Sequence, residues 1–188
     1  MTNLKALNTT QSPPTSFPFT FQIPPHTDLY RKPALTSASQ PTFYTPITLK
    51  NLRSATVKIK KIQYAHLYDQ AGIVILWANR PEIWIKAGVE YFEGKLKRSS
   101  VAPGVGGWSD WNIAEPVKDG EGIVVEAKRD RPQGTALVLT VNGQMVRKIS
   151  GVFEDEEEPV WVGIYGARPA DVHGVLEVEV EAFEIEQV

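Results

Sequence analysis

Apolar and polar residues alternate along most of this chain with a period of two. Residues 17–23 (FPFTFQI) set aromatics against polar neighbours and are closed by Pro24-Pro25. Residues 55–62 (ATVKIKKI) put Val57 and Ile59 on one side and lysines on the other. Side chains of a strand point to its two faces in turn, so this rhythm predicts strands half-buried in a sheet. Residues 71–77 (AGIVILW) are almost unbroken apolar and read as a strand covered on both faces. Segments 82–92, 94–100, 122–128, 135–146, 161–165 and 175–185 continue the series. Within 135–146, Asn142-Gly143 stands between apolar runs and predicts a tight hairpin. In the last segment Leu176, Val178 and Val180 share one parity while Phe183 and Ile185 share the other. A slip of one residue exchanges faces, so a bulge is expected near Glu181 or Ala182.

No segment carries a helical period. The 14 prolines and 14 glycines fall mostly between the strand candidates, where they punctuate turns. Many strands without helices imply an all-β sandwich or barrel. At 188 residues the chain has room for one generous domain. Residues 1–16 are polar and rich in Thr, Ser and Pro, and are expected to be a disordered tail before a single domain spanning 17–188. That tail lacks the apolar stretch of a secretory signal, which favours the cytoplasm. Residues 26–33 read as loop, 34–40 are small and polar, and the acidic run 154–158 (EDEEE) reads as a solvated loop.

Composition narrows the chemistry. The net charge of −2 lacks the basic surplus of a duplex-binding protein, so no nucleic-acid partner is expected. No apolar run approaches the roughly 20 residues of a membrane helix, and no membrane partner is expected. With no cysteine, thiolate metal sites and cysteine nucleophiles are excluded. His26, His66 and His173 lack zinc-ligand spacing, and no phosphate-cradling glycine loop or GxSxG is present. No cofactor or metal site is therefore expected from these residues, and an EF-hand-like loop is absent too, which leaves open a calcium ion held by scattered carboxylates and carbonyls.

Four groups of residues stand out. In segment 84–91, Trp84, Lys86, Gly88 and Glu90 share one strand face, while Ile85, Ala87, Val89 and Tyr91 share the core face. The first face is either a Lys86–Glu90 ion pair on a solvated sheet or a ligand face with Trp84 as stacking platform. Gly106-Gly107-Trp108-Ser109-Asp110-Trp111 reads as a loop whose rings either plug a core edge or stack on a ligand. Tyr68-Asp69-Gln70 stands at the mouth of an apolar strand, where polar residues face a site or cap a sheet edge. Asp28 and Arg31 either pair with each other or leave Arg31 to hold an anion.

Taken together, the segments TDLYRKP (27–33), YDQAG (68–72), WIKAGVE (84–90), SDW (109–111) and VGIY (162–165) resemble, in order and spacing, the YesU-like family of concanavalin A-like β-sandwiches. The likeness is to its fungal branch, named for a "regulation of enolase" protein, and covers roughly residues 17–185. It implies two large antiparallel sheets, one curved, with ligands on the concave side. By position it carries over Asp69, Gln70, Trp84, Lys86, Glu90, Asp110 and Trp111 as motif residues. Tyr30 stands where the family more often has Trp, and Arg168-Pro169 where a small residue more often precedes Pro. The fungal branch is linked to the control of sugar metabolism.

Three functions follow. The first is a non-catalytic protein binding a small carbohydrate through stacking rings (Trp84, Trp111) and polar contacts (Asp28, Arg31, Asp69, Gln70, Lys86, Glu90, Asp110). The second is an enzyme on a small sugar or sugar acid, with Glu90 as general acid or base and Asp110 as its partner. Lys86 stands where glucanases of this fold would place a carboxylate, which argues against the usual retaining pair. The third is a regulatory domain that contacts a protein partner through its acidic run and polar tail. Fold likeness alone does not choose among them.

Overall fold

The computed structural model describes residues 3–155 and 157–188; Met1 and Thr2 of the expected tail and Glu156 of the acidic run lie outside the described residues. The strands in chain order are β1 (Lys5–Leu7), β2 (Phe19–Ile23), β3 (Leu29–Lys32), β4 (Leu35–Ala38), β5 (Thr42–Thr48), β6 (Leu52–Ile62), β7 (Gln70–Trp77), β8 (Trp84–Phe92), β9 (Lys95–Pro103), β10 (Ser109–Pro116), β11 (Ile123–Arg129), β12 (Leu137–Val141), β13 (Gln144–Ile149), β14 (Pro159–Ala167) and β15 (Leu176–Gln187). Among the described residues there is no α-helix, only two 3₁₀ turns. The fold is a concanavalin A-like β-sandwich. One sheet runs β1-β5-β14-β7-β8-β9-β10 and the other β13-β12-β11-β6-β15-β2, with antiparallel neighbours throughout.

The alternation explains where the core lies. Val57 and Ile59 of β6, Val125 and Ala127 of β11, and Ile85, Ala87 and Val89 of β8 are all fully or almost fully buried in one apolar cluster between the sheets. β7 is buried along its whole length, as its unbroken apolar run requires. It is central in its sheet, and a second apolar cluster covers its other side. Asn142 (φ 50°) and Gly143 (φ 72°) form the β12–β13 turn, both in the left-handed conformation that this hairpin demands. The register of β15 against β6 slips between Val180 and Ala182, at the expected bulge.

Two segments differ from their sequence reading. The polar N-terminus is not disordered throughout: Lys5–Leu7 add an edge strand to β5, and Leu4 is buried in the core. Asn8 then ties the segment down by donating from Nδ2 to the carbonyls of Ala38 and Gln40. Residues 29–38, read as loop up to residue 33 and as small and polar beyond it, form a two-stranded ribbon, β3 with β4. It covers the outer face of the seven-stranded sheet, because Leu29 is buried in an apolar cluster there with Val74, Leu76, Trp84, Val101 and Tyr165. The acidic run is pinned in part, Glu157 to Lys50 and Glu158 to Arg80.

Candidate functional site

The outer face is assembled by strand register. Gln70 of β7 lies opposite Glu90 of β8, Gly72 opposite Gly88, and Val74 opposite Lys86. Across the next ladders, Val101 of β9 pairs with Lys86, and Trp111 of β10 with Val101. These partners therefore present their side chains on one face. Gly72 and Gly88 meet back to back. A Cβ on Gly88 would stand 2.1 Å from the Ala71 carbonyl oxygen and 2.7 Å from the Gly72 Cα. Over this face opens a pocket of about 470 Å³, lined from the sheet by Lys86, Glu90, Gln70 and Trp111. Tyr68 and, from the ribbon segment, Asp28, Leu29 and Tyr30 also line it.

Lys86 is the electrostatic centre. Its ammonium is buried and donates to the Leu29 carbonyl (2.9 Å) and to Gln70 Oε1 (2.7 Å). It sits 5.7 Å from the ring centroids of both Trp84 and Tyr165. Burial pushes the Lys86 pKa down, while the carboxylates of Glu90 and Asp28 pull it back up. Gln70 is held on both ends: Nε2 donates to the Tyr68 carbonyl, and Oε1 accepts from Lys86 and from the Tyr165 hydroxyl. Burial raises the Tyr165 pKa well above the usual phenol value, and Glu90 and Asp28 push it the same way. The hydroxyl therefore stays protonated as a donor.

Glu90 is buried as well. Its Oε2 accepts from Ser99 Oγ (2.7 Å) and from the indole Nε1 of Trp111 (3.0 Å). Oε1 has no partner among the described residues. Trp111 is 42% exposed, and its ring meets Phe92 (5.2 Å) and Tyr68 (6.1 Å) in T-shaped contacts. Asp28 Oδ1 accepts from the Leu29 backbone N–H (2.7 Å). Burial raises the Asp28 pKa, and Lys86 and that N–H oppose the rise. The site thus combines a flat ring, two carboxylates, one ammonium and an amide. Among the described residues no group of three or more His, Asp or Glu is placed to hold a metal ion.

The structure brings Asp28, Gln70, Lys86, Glu90 and Trp111 together, and it separates the other sequence candidates. Asp69, expected as a polar contact to a ligand, lies outside the pocket lining. It is completely buried and holds Arg168 by two bonds, Nε to Oδ1 (2.8 Å) and Nη2 to Oδ2 (2.7 Å). Trp84 is not an open platform, because Leu29 and the rest of the second cluster cover it. Its ring is 2% exposed, and its buried Nε1 has no partner among the described residues. Asp110 and Trp111 cannot act together. They are neighbours on a strand rather than in a loop, so they face opposite ways, and Asp110 pairs with Arg147 (2.8 Å). That bond holds the Asp110 carboxyl below its usual pKa. Arg31 does not meet Asp28; its Nη1 donates to the Glu82 carbonyl. Nor do Lys86 and Glu90 form a direct ion pair on a solvated face, as both are buried. Tyr68, Ser99 and Tyr165 belong to the site although they were not singled out as ligand residues. The strand parity that groups Lys86 with Glu90 also reaches Ser99 and Tyr165, once the pairing of β9 and β14 is known.

A family model described as "Protein of unknown function (DUF1349)" matches residues 8–188. The chain belongs to this family. The DUF1349 assignment agrees with a relative from Emericella nidulans, "Uncharacterized protein AN7484", which is 30% identical over 175 residues, covering 89% of this chain and 86% of the relative. A functionally unknown protein from Saccharomyces cerevisiae has a solved structure similar to this DUF1349 sandwich. Its TM-score is 0.79 at 22% identity, covering 98% of this chain and 96% of that one. The structure titled "Bacteroides ovatus Xyloglucan PUL GH43B" also contains the fold, with a TM-score of 0.63 at 12% identity. That match covers 88% of this chain but only 32% of that one.

Proposed function

We propose that the protein binds a small carbohydrate in the pocket above Lys86 and Glu90. The observation that carries this reading is the joint placement of Trp111 and Glu90. One indole N–H orients a buried carboxylate, while the same residue, 42% exposed, lines the pocket. A pyranose offers what such a wall takes up, an apolar C–H face for the ring and hydroxyls for the carboxylate and amide. The sandwich is shared with part of a xyloglucan-locus GH43 protein, which supports a carbohydrate link at the level of fold. A role in the control of sugar metabolism, implied by the motif resemblance, would run through this site.

The test is a protein-observed NMR titration with a panel of mono- and oligosaccharides, comparing the wild type with Trp111→Ala. Shifts at Trp111, Tyr68 and Gln70 that vanish in the variant support the proposal. Absence of any shift up to tens of millimolar, or an unchanged response in a folded variant, would sink it.

A second reading is supported by the paired carboxylates. Asp28 and Glu90 both line the pocket around Lys86, so two carboxyl groups stand where acid–base chemistry on a bound sugar would need them. Under this reading Asp28 replaces Asp110 as the partner of Glu90. Turnover of a bound saccharide, abolished by Glu90→Gln with binding retained, would identify an enzyme.

A further inference from the structure

The charges around the pocket are unequal, and the asymmetry bears on which saccharides fit. Two carboxylates line it, Asp28 and Glu90, against one ammonium, Lys86. On each carboxylate one oxygen is used internally, Oδ1 by the Leu29 N–H and Oε2 by Ser99 and Trp111. The other oxygen of each has no partner among the described residues. Lys86, in contrast, spends two of its three N–H donors on Leu29 and Gln70.

No arginine lines the pocket: Arg147 holds Asp110, Arg168 holds Asp69, and Arg31, beside the lining residue Tyr30, gives one N–H to the Glu82 carbonyl. The partly exposed residues nearby are aromatic, Trp111 and Tyr68, and aromatic π-clouds attract cations.

We propose that the site selects saccharides by charge, taking an amine-bearing sugar ahead of its neutral counterpart and rejecting the matching uronic acid. The ammonium of an amino sugar would meet the free Glu90 and Asp28 oxygens beside the Trp111 ring. A carboxylate or phosphate in the same place would face two like charges and find at most one N–H of Lys86. Lys86 itself offsets one of the two carboxylates, which leaves a formal surplus of one negative charge.

This proposal rests on the carbohydrate reading, and the experiment separates the two. The full-length protein is titrated by NMR at pH 7 and low salt with three series, gluco, galacto and manno, each as 2-amino sugar, neutral sugar and uronic acid. In the series that binds, the amine is expected to be tighter than the uronic acid by at least about tenfold, or about 1.4 kcal/mol. Salt should narrow that gap, because part of the site is open to solvent. Glu90→Gln keeps acceptors for Ser99 and Trp111 while removing the charge, and should bring the amine close to the neutral sugar. Asp28→Asn is the second variant, should the first not fold. Binding in which the uronic acid equals or exceeds the amine overturns the charge selection and leaves the carbohydrate reading intact. Failure of every series to bind overturns both.

Discussion

Replacing Asp69 by Asn should unfold the protein at a markedly lower temperature, although Asp69 lies outside the pocket. Asp69 is 0% exposed and its Arg168 partner 4% exposed at the side chain. The carboxylate accepts four bonds: two from the Arg168 guanidinium, and one each from the backbone N–H groups of Ala65 (2.8 Å) and His66 (3.0 Å). Asn is almost the same size but has one acceptor oxygen instead of two, and its NH₂ must face a donor. Arg168 remains charged, because a guanidinium does not lose its proton in proteins. Breaking one side of a buried pair costs about 3–5 kcal/mol, since the surviving charge is left uncompensated. Against a total stability of roughly 5–15 kcal/mol this is a large fraction. For a chain of this length it corresponds to a fall in Tm of roughly 6–20 °C. Urea unfolding followed by tryptophan fluorescence, with a thermal scan by circular dichroism, measures both quantities. A loss below about 1 kcal/mol would place the pair in the range of exposed salt bridges and refute the argument.

Three further outcomes can be checked on the same instruments. Gly88→Ala forces a Cβ against the backbone of β7 (2.1 Å from the Ala71 oxygen), so the central strands must part; a urea titration should show a loss of about 3 kcal/mol, the upper end of ordinary overpacking. Asp28 has a raised folded pKa, so its contribution is present at low pH and is lost as pH climbs from 3.8 through the folded value. Stability measured from pH 4 to 7 should accordingly fall less, or rise more, in Asp28→Asn than in the wild type; identical profiles would contradict the burial of that carboxyl. Leu4→Ala should cost about 2 kcal/mol in the same assay, at the low end for a buried leucine because β1 is an edge strand, whereas a disordered N-terminus would give no change.

The parts of the fold that were legible in the sequence are those set by local pattern. Period-two alternation located the core strands, Asn142-Gly143 marked its hairpin through backbone conformation, and the parity break before Phe183 marked the bulge. The same alternation correctly grouped Lys86 with Glu90 on one face. What escaped depends on pairing between distant residues. β1 is three residues long and owes its order to β5 and to Asn8 bonds that span some thirty residues of sequence. The β3–β4 ribbon is mostly exposed, and little in its composition distinguishes it from loop. The glycines at 106 and 107 suggested that the loop extended through Trp111, yet β10 begins at Ser109, and alternation there turns Asp110 away from Trp111. Asp69 looked like a ligand residue because its partner, Arg168, lies 99 positions away.

Among the described residues the ribbon beside the pocket hydrogen-bonds strand to strand only with itself, and its tip at Pro33-Ala34 is exposed. The ladders that define the sandwich do not pass through it. Its hold on the floor is a handful of contacts, among them the Leu29 carbonyl on Lys86 and the Arg31 backbone on Ser109. Residues inserted or exchanged at the tip would thus alter this cover while the sheets keep their registers. For the same reason it is the natural place to graft a longer segment when a different guest is wanted.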